Sequence, residues 1–180
     1  GNLKRYRLDG DEVLDKKGLD AVDSVTGFFA ENSHSYWSVL ADGNDVREGG
    51  AASKMTANRH LYVFNANGVI TSSSNVLHED NSSITVEDLG IEDETDAQDL
   101  RTTLLQWARG VDVKDSDGDG DTTDIRLQMG DPIHSQPVIV NYSETDSAIF
   151  VATNHGMLHS IDAATGEENF AIMPRSLLPN

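Results

Sequence analysis

Gln136-Pro137-Val138-Ile139-Val140-Asn141-Tyr142 opens the stretch that decides the fold. Ala148-Ile149-Phe150-Val151-Ala152-Thr153 follows, and Asn154-His155-Gly156 turns it into Met157-Leu158-His159-Ser160-Ile161-Asp162. Proline is tolerated at the first position of a strand, where no ladder hydrogen bond is lost. Ala163-Ala164-Thr165-Gly166 then turns the chain into Glu168-Asn169-Phe170-Ala171-Ile172, a candidate fourth strand. Short antiparallel strands with a turn every 8–12 residues have the spacing of a propeller blade. A blade takes about 40–45 residues, so 180 residues hold about four at most. The expected fold is mainly β: a fragment of a modified β-propeller with one inserted α-helix and a calcium-binding loop. Residues 1–180 then form part of one such domain, with 1–71 strand-rich, 72–94 a surface loop, 95–109 the helix, 115–124 the calcium loop and 136–173 the blade.

Upstream of the blade stands Asp115-Ser116-Asp117-Gly118-Asp119-Gly120-Asp121-Thr122-Thr123-Asp124, five carboxylates in ten residues. Two like charges about 4 Å apart repel by about 1 kcal/mol in water and about 4 kcal/mol at a protein surface. Such a stretch needs full solvation or a cation. Alternating hard oxygen donors with glycine at the sharp bend suit Ca²⁺, which takes six to eight oxygens in a flexible cage. Mg²⁺ fits less well, because it demands a near-ideal octahedron and keeps its waters. Counted from Asp115, the stretch follows the start of an EF-hand frame: Asp115, Asp117 and Asp119 at odd positions, Gly120 sixth, the Asp121 carbonyl seventh. The twelfth position is Arg126 rather than Glu, so no EF-hand closes. Asp124 is the carboxylate available to replace it, which describes a shorter loop. The metal ligands expected are Asp115, Asp117, Asp119, Asp121 and Asp124. The plain alternative is an acidic solvated loop.

The spacing predicts a helix running straight into this loop. Thr95 with Gln98 has the capping-box spacing, Asp96 and Asp99 suit the positive end of the dipole, and Gly110 is placed to end the helix. Ala97, Leu100, Leu104 and Trp107 or Ala108 make one apolar stripe. Nearer the start, Leu3–Leu8, Val13–Asp15, Ser35–Leu40 and Arg59–Phe64 read as strands, with Trp37 as a core anchor. Asn67-Gly68 is a hairpin signal returning through Val69–Thr71. Gly49-Gly50-Ala51-Ala52 marks a close approach of backbones rather than a phosphate cradle, since no basic partner or strand–loop–helix context accompanies it.

The formal charge of −18 argues against nucleic acid or anionic membrane as partners. From Glu79 to Asp124 the sum is 3 − 15 = −12, so most of the repulsion surrounds the proposed metal loop. There is no cysteine and no run of 18 apolar residues. The opening Gly1-Asn2-Leu3-Lys4 reads like the middle of a longer protein.

Several stretches resemble the PilY family, the large calcium-binding proteins of type IV pili whose C-terminal part is a modified β-propeller. They are Gly130-Asp131-Pro132-Ile133-His134-Ser135-Gln136-Pro137, Thr153–His159, Asp162–Glu168 and Pro174–Leu178, with Gly1–Tyr6, the Trp37 segment, Gly49–Ala52 and Trp107–Asp112 upstream. The resemblance implies an extracellular protein at the cell surface or pilus tip. It would act in pilus biogenesis and adhesion, with calcium controlling extension and retraction. Its partners would be minor pilins and a host or surface receptor, and its open sheet edges could self-associate. The family's calcium loop falls on Asp115, Asp117, Asp119, Asp121 and Asp124. His155 stands where an Asp would be expected. Arg109-Gly110-Val111-Asp112 is not an Arg-Gly-Asp motif, so integrin binding is not expected.

The rival readings are a quinoprotein-dehydrogenase-like propeller enzyme and a purely structural calcium-stabilised module. The first lacks the blade-docking tryptophan, whose place Phe170 takes, and shows no constellation for a quinone. His134, His155 and His159 match no compact zinc motif, and Ser135 lacks a nucleophile elbow. No catalytic residue is assigned.

Overall fold

The computed structural model describes residues 1–64 and 68–179. A small hairpin of β1 (Arg7–Asp9) and β2 (Glu12–Leu14) precedes a long irregular segment rich in turns. Then come β3 (Leu61–Phe64), the helix α1 (Ala97–Arg109) and four strands: β4 (Val138–Asn141), β5 (Ser147–Ala152), β6 (Leu158–Asp162) and β7 (Glu168–Pro174). The last four form the antiparallel meander that their alternation and turns predict. β3 joins it from far away in the chain, parallel to β7, giving the order β3-β7-β6-β5-β4. The protein is, among the described residues, mainly sheet with one α-helix. Among the described residues the sheet stays open, and no closed barrel or propeller forms.

Register places the sheet residues of two hydrophobic clusters on one face. Ile149 faces Ile161, Val151 faces His159, His159 faces Ala171, and Ala171 faces Leu61. Trp37, Ala51, Ala52, Met55 and Met129 cover the β5–β6 end of that face. Leu77, Ile84 and Leu105 cover the β3–β7 end. The opposite face carries Phe150 and Phe170, edge to face at 6.3 Å, either side of the buried Ser160 in the register. It is half-covered only. β4 is exposed along its whole length, with Val138 58% and Ile139 61% accessible, because it pairs with β5 alone.

Several expectations change. Ser35–Leu40 is a set of turns, not a strand, yet Trp37 is buried as anchor. Leu3–Leu8 contributes only its end to β1, so residues 1–71 carry far less strand than their composition suggests. Asn67 lies outside the described residues, and Val69–Thr71 forms no return strand. The outer edge of β3 is instead met by an isolated bridge from Tyr62 to Val76, with Leu77 N–H donating to Leu61 O at 2.9 Å. The segment 72–94 is not simply surface: Leu77, Ile84 and Leu89 are buried, each such side chain contributing about 1.5–3 kcal/mol. Arg101 fastens that segment to the helix. It is itself buried, donating from Nε to Ile84 O at 2.6 Å, from Nη1 to Glu79 O and from Nη2 to Asn81 O.

Helix α1 begins at Ala97 with Asp96 as N-cap and no side-chain cap bond, so the Thr95–Gln98 box does not form. Its buried residues are Arg101 and Leu105, one position round from the stripe read off the apolar residues. Gly110 ends it at φ +100°, the left-handed region that favours glycine. The Gly49–Ala52 stretch does pack backbone against neighbours: a Cβ on Gly49 would lie 2.1 Å from Ser38 Oγ.

Candidate metal centre

Immediately after Gly110 the chain makes a closed loop. Val111 bridges Ile125 in antiparallel fashion, Asp112 N–H donates to Asp124 O at 3.0 Å, and Arg126 N–H donates to Gly110 O at 2.8 Å. These bonds pin both ends of the acidic run beside the helix C-terminus. Asp112 completes the base: its buried carboxylate accepts from Ser116 N–H at 2.8 Å and Ser116 Oγ at 2.7 Å. Burial pushes its carboxyl up, but the Ser116 bonds win and hold it below its ordinary value. Sequence reasoning missed this residue. The available signal was an Asp four residues ahead of a Ser at the mouth of the loop.

Within the loop each carboxylate bends the backbone that follows it. Asp115 Oδ1 accepts from Gly120 N–H at 3.1 Å, Asp117 Oδ1 from Asp119 N–H at 3.2 Å, and Asp119 Oδ1 from Asp121 N–H at 2.7 Å. Asp115 sits at φ +50°, a left-handed conformation that Asp tolerates better than most residues. The consequence is convergence. One ligand oxygen from each of Asp115, Asp117 and Asp119 lies within 4.8 Å of the others. Oxygens bound to one Ca²⁺ at about 2.3–2.6 Å stand no more than about 5 Å apart, so this group has the spread of a single calcium shell.

The remaining two predicted ligands fall outside that group. Asp121 Oδ1 accepts from Thr123 N–H and Thr123 Oγ1, both at 2.7 Å, and these bonds hold its carboxyl below the ordinary value. Asp121 thus serves the loop's shape through its side chain, leaving the backbone carbonyl as the group that the EF-hand frame places seventh. Asp124 behaves in the opposite way. Its Oδ1 is buried with no hydrogen-bond partner. Burial first, then the charges of Asp117, Asp119, Asp112 and Asp121, push its carboxyl above the usual range. A buried, unpartnered carboxylate oxygen under the charge of four other carboxylates is costly, and a divalent cation would relieve that cost. Asp115, Asp117 and Asp119 could hold a metal ion. Asp124→Asn should therefore raise the melting temperature of EDTA-stripped protein while weakening its response to Ca²⁺, both read by calorimetric melts. A lower melting temperature without metal would contradict the repulsion.

No protein-family model, curated protein or solved structure matches the chain.

One other cluster has the outline of a catalytic relay. Thr153 Oγ1 lies 3.4 Å from His159 Nε2, and His159 Nδ1 lies 2.7 Å from Glu168 Oε1. Two features make it a fastening rather than a nucleophile. Arg59 occupies both Glu168 oxygens, at 2.7 and 2.8 Å, and all four residues are nearly sealed from solvent. His134, by contrast, is exposed and distant in role, and His155 packs on Trp107 with ring centroids 5.5 Å apart. Among the described residues the three histidines form no metal-ligand group. Among the described residues no helix is long and apolar enough to cross a membrane.

Proposed function

We propose that this chain is a calcium-binding module of an extracellular surface protein, with Asp115, Asp117 and Asp119 as core ligands and Asp124 completing the shell. The observation that carries the reading is the convergence of Asp115, Asp117 and Asp119, with burial and then the charges of Asp117 and Asp119 pushing up the carboxyl of the unpartnered Asp124. Calcium would supply charge neutralisation there, locking the loop to the C-terminal end of helix α1. The wider role follows the resemblance to the PilY proteins: action at the type IV pilus in biogenesis and adhesion, with minor pilins and a surface receptor as partners. The four-stranded meander with one open edge and a half-covered aromatic face supports a blade of a larger β-propeller, since a propeller blade has a neighbour on each face. Either a calcium switch or a permanent strut would use the same ligands. Affinity separates them, because related loops range from about 10⁻⁹ to 10⁻³ M.

Calorimetric titration of Ca²⁺ into EDTA-stripped protein should give one site, absent in Asp119→Ala and much weaker with Mg²⁺. At 100 times the dissociation constant, calcium should add about 2.7 kcal/mol of stability. Absence of heat and of any melting shift would leave an acidic loop and no calcium function.

A further inference from the structure

A cavity of about 420 Å³ lies between helix α1, the Thr153–Gly156 turn and the C-terminal Leu177 and Leu178. Its walls include Leu77, Leu89, Leu104 and Leu105, so it is mainly apolar and within the size range of small-molecule sites. A second space of about 60 Å³ has Trp107, Ala108, His155 and Met173 in common with it, and adds Arg126, Arg59 and His159. The two spaces therefore share one wall, apolar on one side and cationic on the other. Arg59 and His159 already bond to Glu168. Among the described residues Arg126 has no such direct partner, and the Asp112 carboxylate acts on it only from beyond ion-pair distance.

The Arg126 guanidinium stacks on Trp107, 4.6 Å from the ring centroid, and donates from Nη2 to Trp107 O at 2.6 Å. Its Nε is buried with no acceptor, and among the described residues no carboxylate reaches ion-pair distance of it. A partly buried cation with an unmet donor is costly, and an anion placed on its planar fork removes that cost. His155, on the same wall, is pushed down by burial and then by Arg126, so its ring is neutral at pH 7 and offers an N–H without a second charge. One positive charge calls for one negative charge. A carboxylate meets it, whereas a phosphate dianion would stay uncompensated.

We infer that this pair of cavities binds a small amphipathic carboxylate, its apolar tail among the leucines beneath helix α1 and its carboxylate on Arg126. Arg126 also closes the acidic loop through its N–H bond to Gly110 O, but the inference does not rest on the calcium reading.

The direct test pairs octanoate with octanol, titrated calorimetrically into the wild-type chain. Octanoate should bind at least about tenfold more tightly, because only it forms the charge-assisted contact. Arg126→Met should erase that preference and leave octanol binding unchanged. Leu104→Trp, which fills the larger cavity, should abolish both. No saturable binding of either compound, or equal affinities for the two, overturns the inference. So does a preference that persists in Arg126→Met. The wild-type comparison decides the matter even if Arg126→Met folds poorly after losing its bond to the Trp107 carbonyl.

Discussion

Arg59→Ala should cost about 3–5 kcal/mol, seen as a large fall in the urea midpoint with little change in slope. Arg59 and Glu168 are almost wholly enclosed, with side chains 7% and 5% exposed, and meet through two hydrogen bonds. Glu168 begins β7 and also binds His159 of β6, while Arg59 leads into β3. The substitution therefore strands a buried carboxylate where three strands meet. An Arg59→Met, Glu168→Met double variant should be far less harmed than the single one, because replacing both charges leaves none unpaired. A double variant no better than the single would mean the loss comes from packing alone.

The same carboxylate sets acid sensitivity. Burial would raise the Glu168 pKa, but its bonds to Arg59 and His159 overcome this and hold it at about 2, against 4.5 in the unfolded chain. A depressed carboxyl stabilises the fold fully above its unfolded value and loses that contribution as pH falls toward its folded one. The contribution, about 3 kcal/mol, should disappear between pH 4.5 and 2. Glu168→Gln should flatten that part of the stability–pH profile.

Trp37→Ala should be the other large loss, about 3–5 kcal/mol. Trp37 is 4% exposed and donates from Nε1 to Ala163 O at 3.2 Å, so the irregular N-terminal segment is fastened through it to the β6–β7 turn. The contact is tight: a Cβ on Gly166 would lie 2.6 Å from the indole, and Gly166 sits at φ +78°. Gly166→Ala should therefore destabilise in the same direction by a smaller amount. Thermal melts of both variants check this. A Trp37→Ala protein with unchanged melting temperature would separate the N-terminal segment from the core.

The meander β4–β7 was legible because alternation, Asn154-His155-Gly156 and Ala163–Gly166 are local signals, and antiparallel neighbours need nothing more. The partner of β3 was not legible. Leu61 finds Ala171 across more than a hundred residues, and parallel pairing leaves no turn in the sequence to announce it. Leu77, Ile84 and Leu89 were hidden for a different reason. They sit seven and five residues apart in a polar stretch, with no regular period across the three, and Arg101 holds that stretch by the backbone carbonyls of Glu79, Asn81 and Ile84, which any sequence provides. In the acidic loop the positions of the carboxylates were plain, but their division of labour was not. Asp115, Asp117, Asp119 and Asp121 each accept from a following N–H, yet only the first three also converge, and that depends on the turn each one makes. Asp112 escaped notice because its value lies in closing the loop on Ser116.

The run from Asp115 to Asp124 is proposed to enclose one calcium ion. Diffraction from crystals grown with saturating Ca²⁺, phased to show anomalous scattering, tests it most directly. A single peak among Asp115, Asp117 and Asp119, with Asp124 turned toward it and oxygens at about 2.3–2.6 Å, is the predicted result. Well-ordered carboxylates around no peak, or an ion bound elsewhere on the chain, would contradict it.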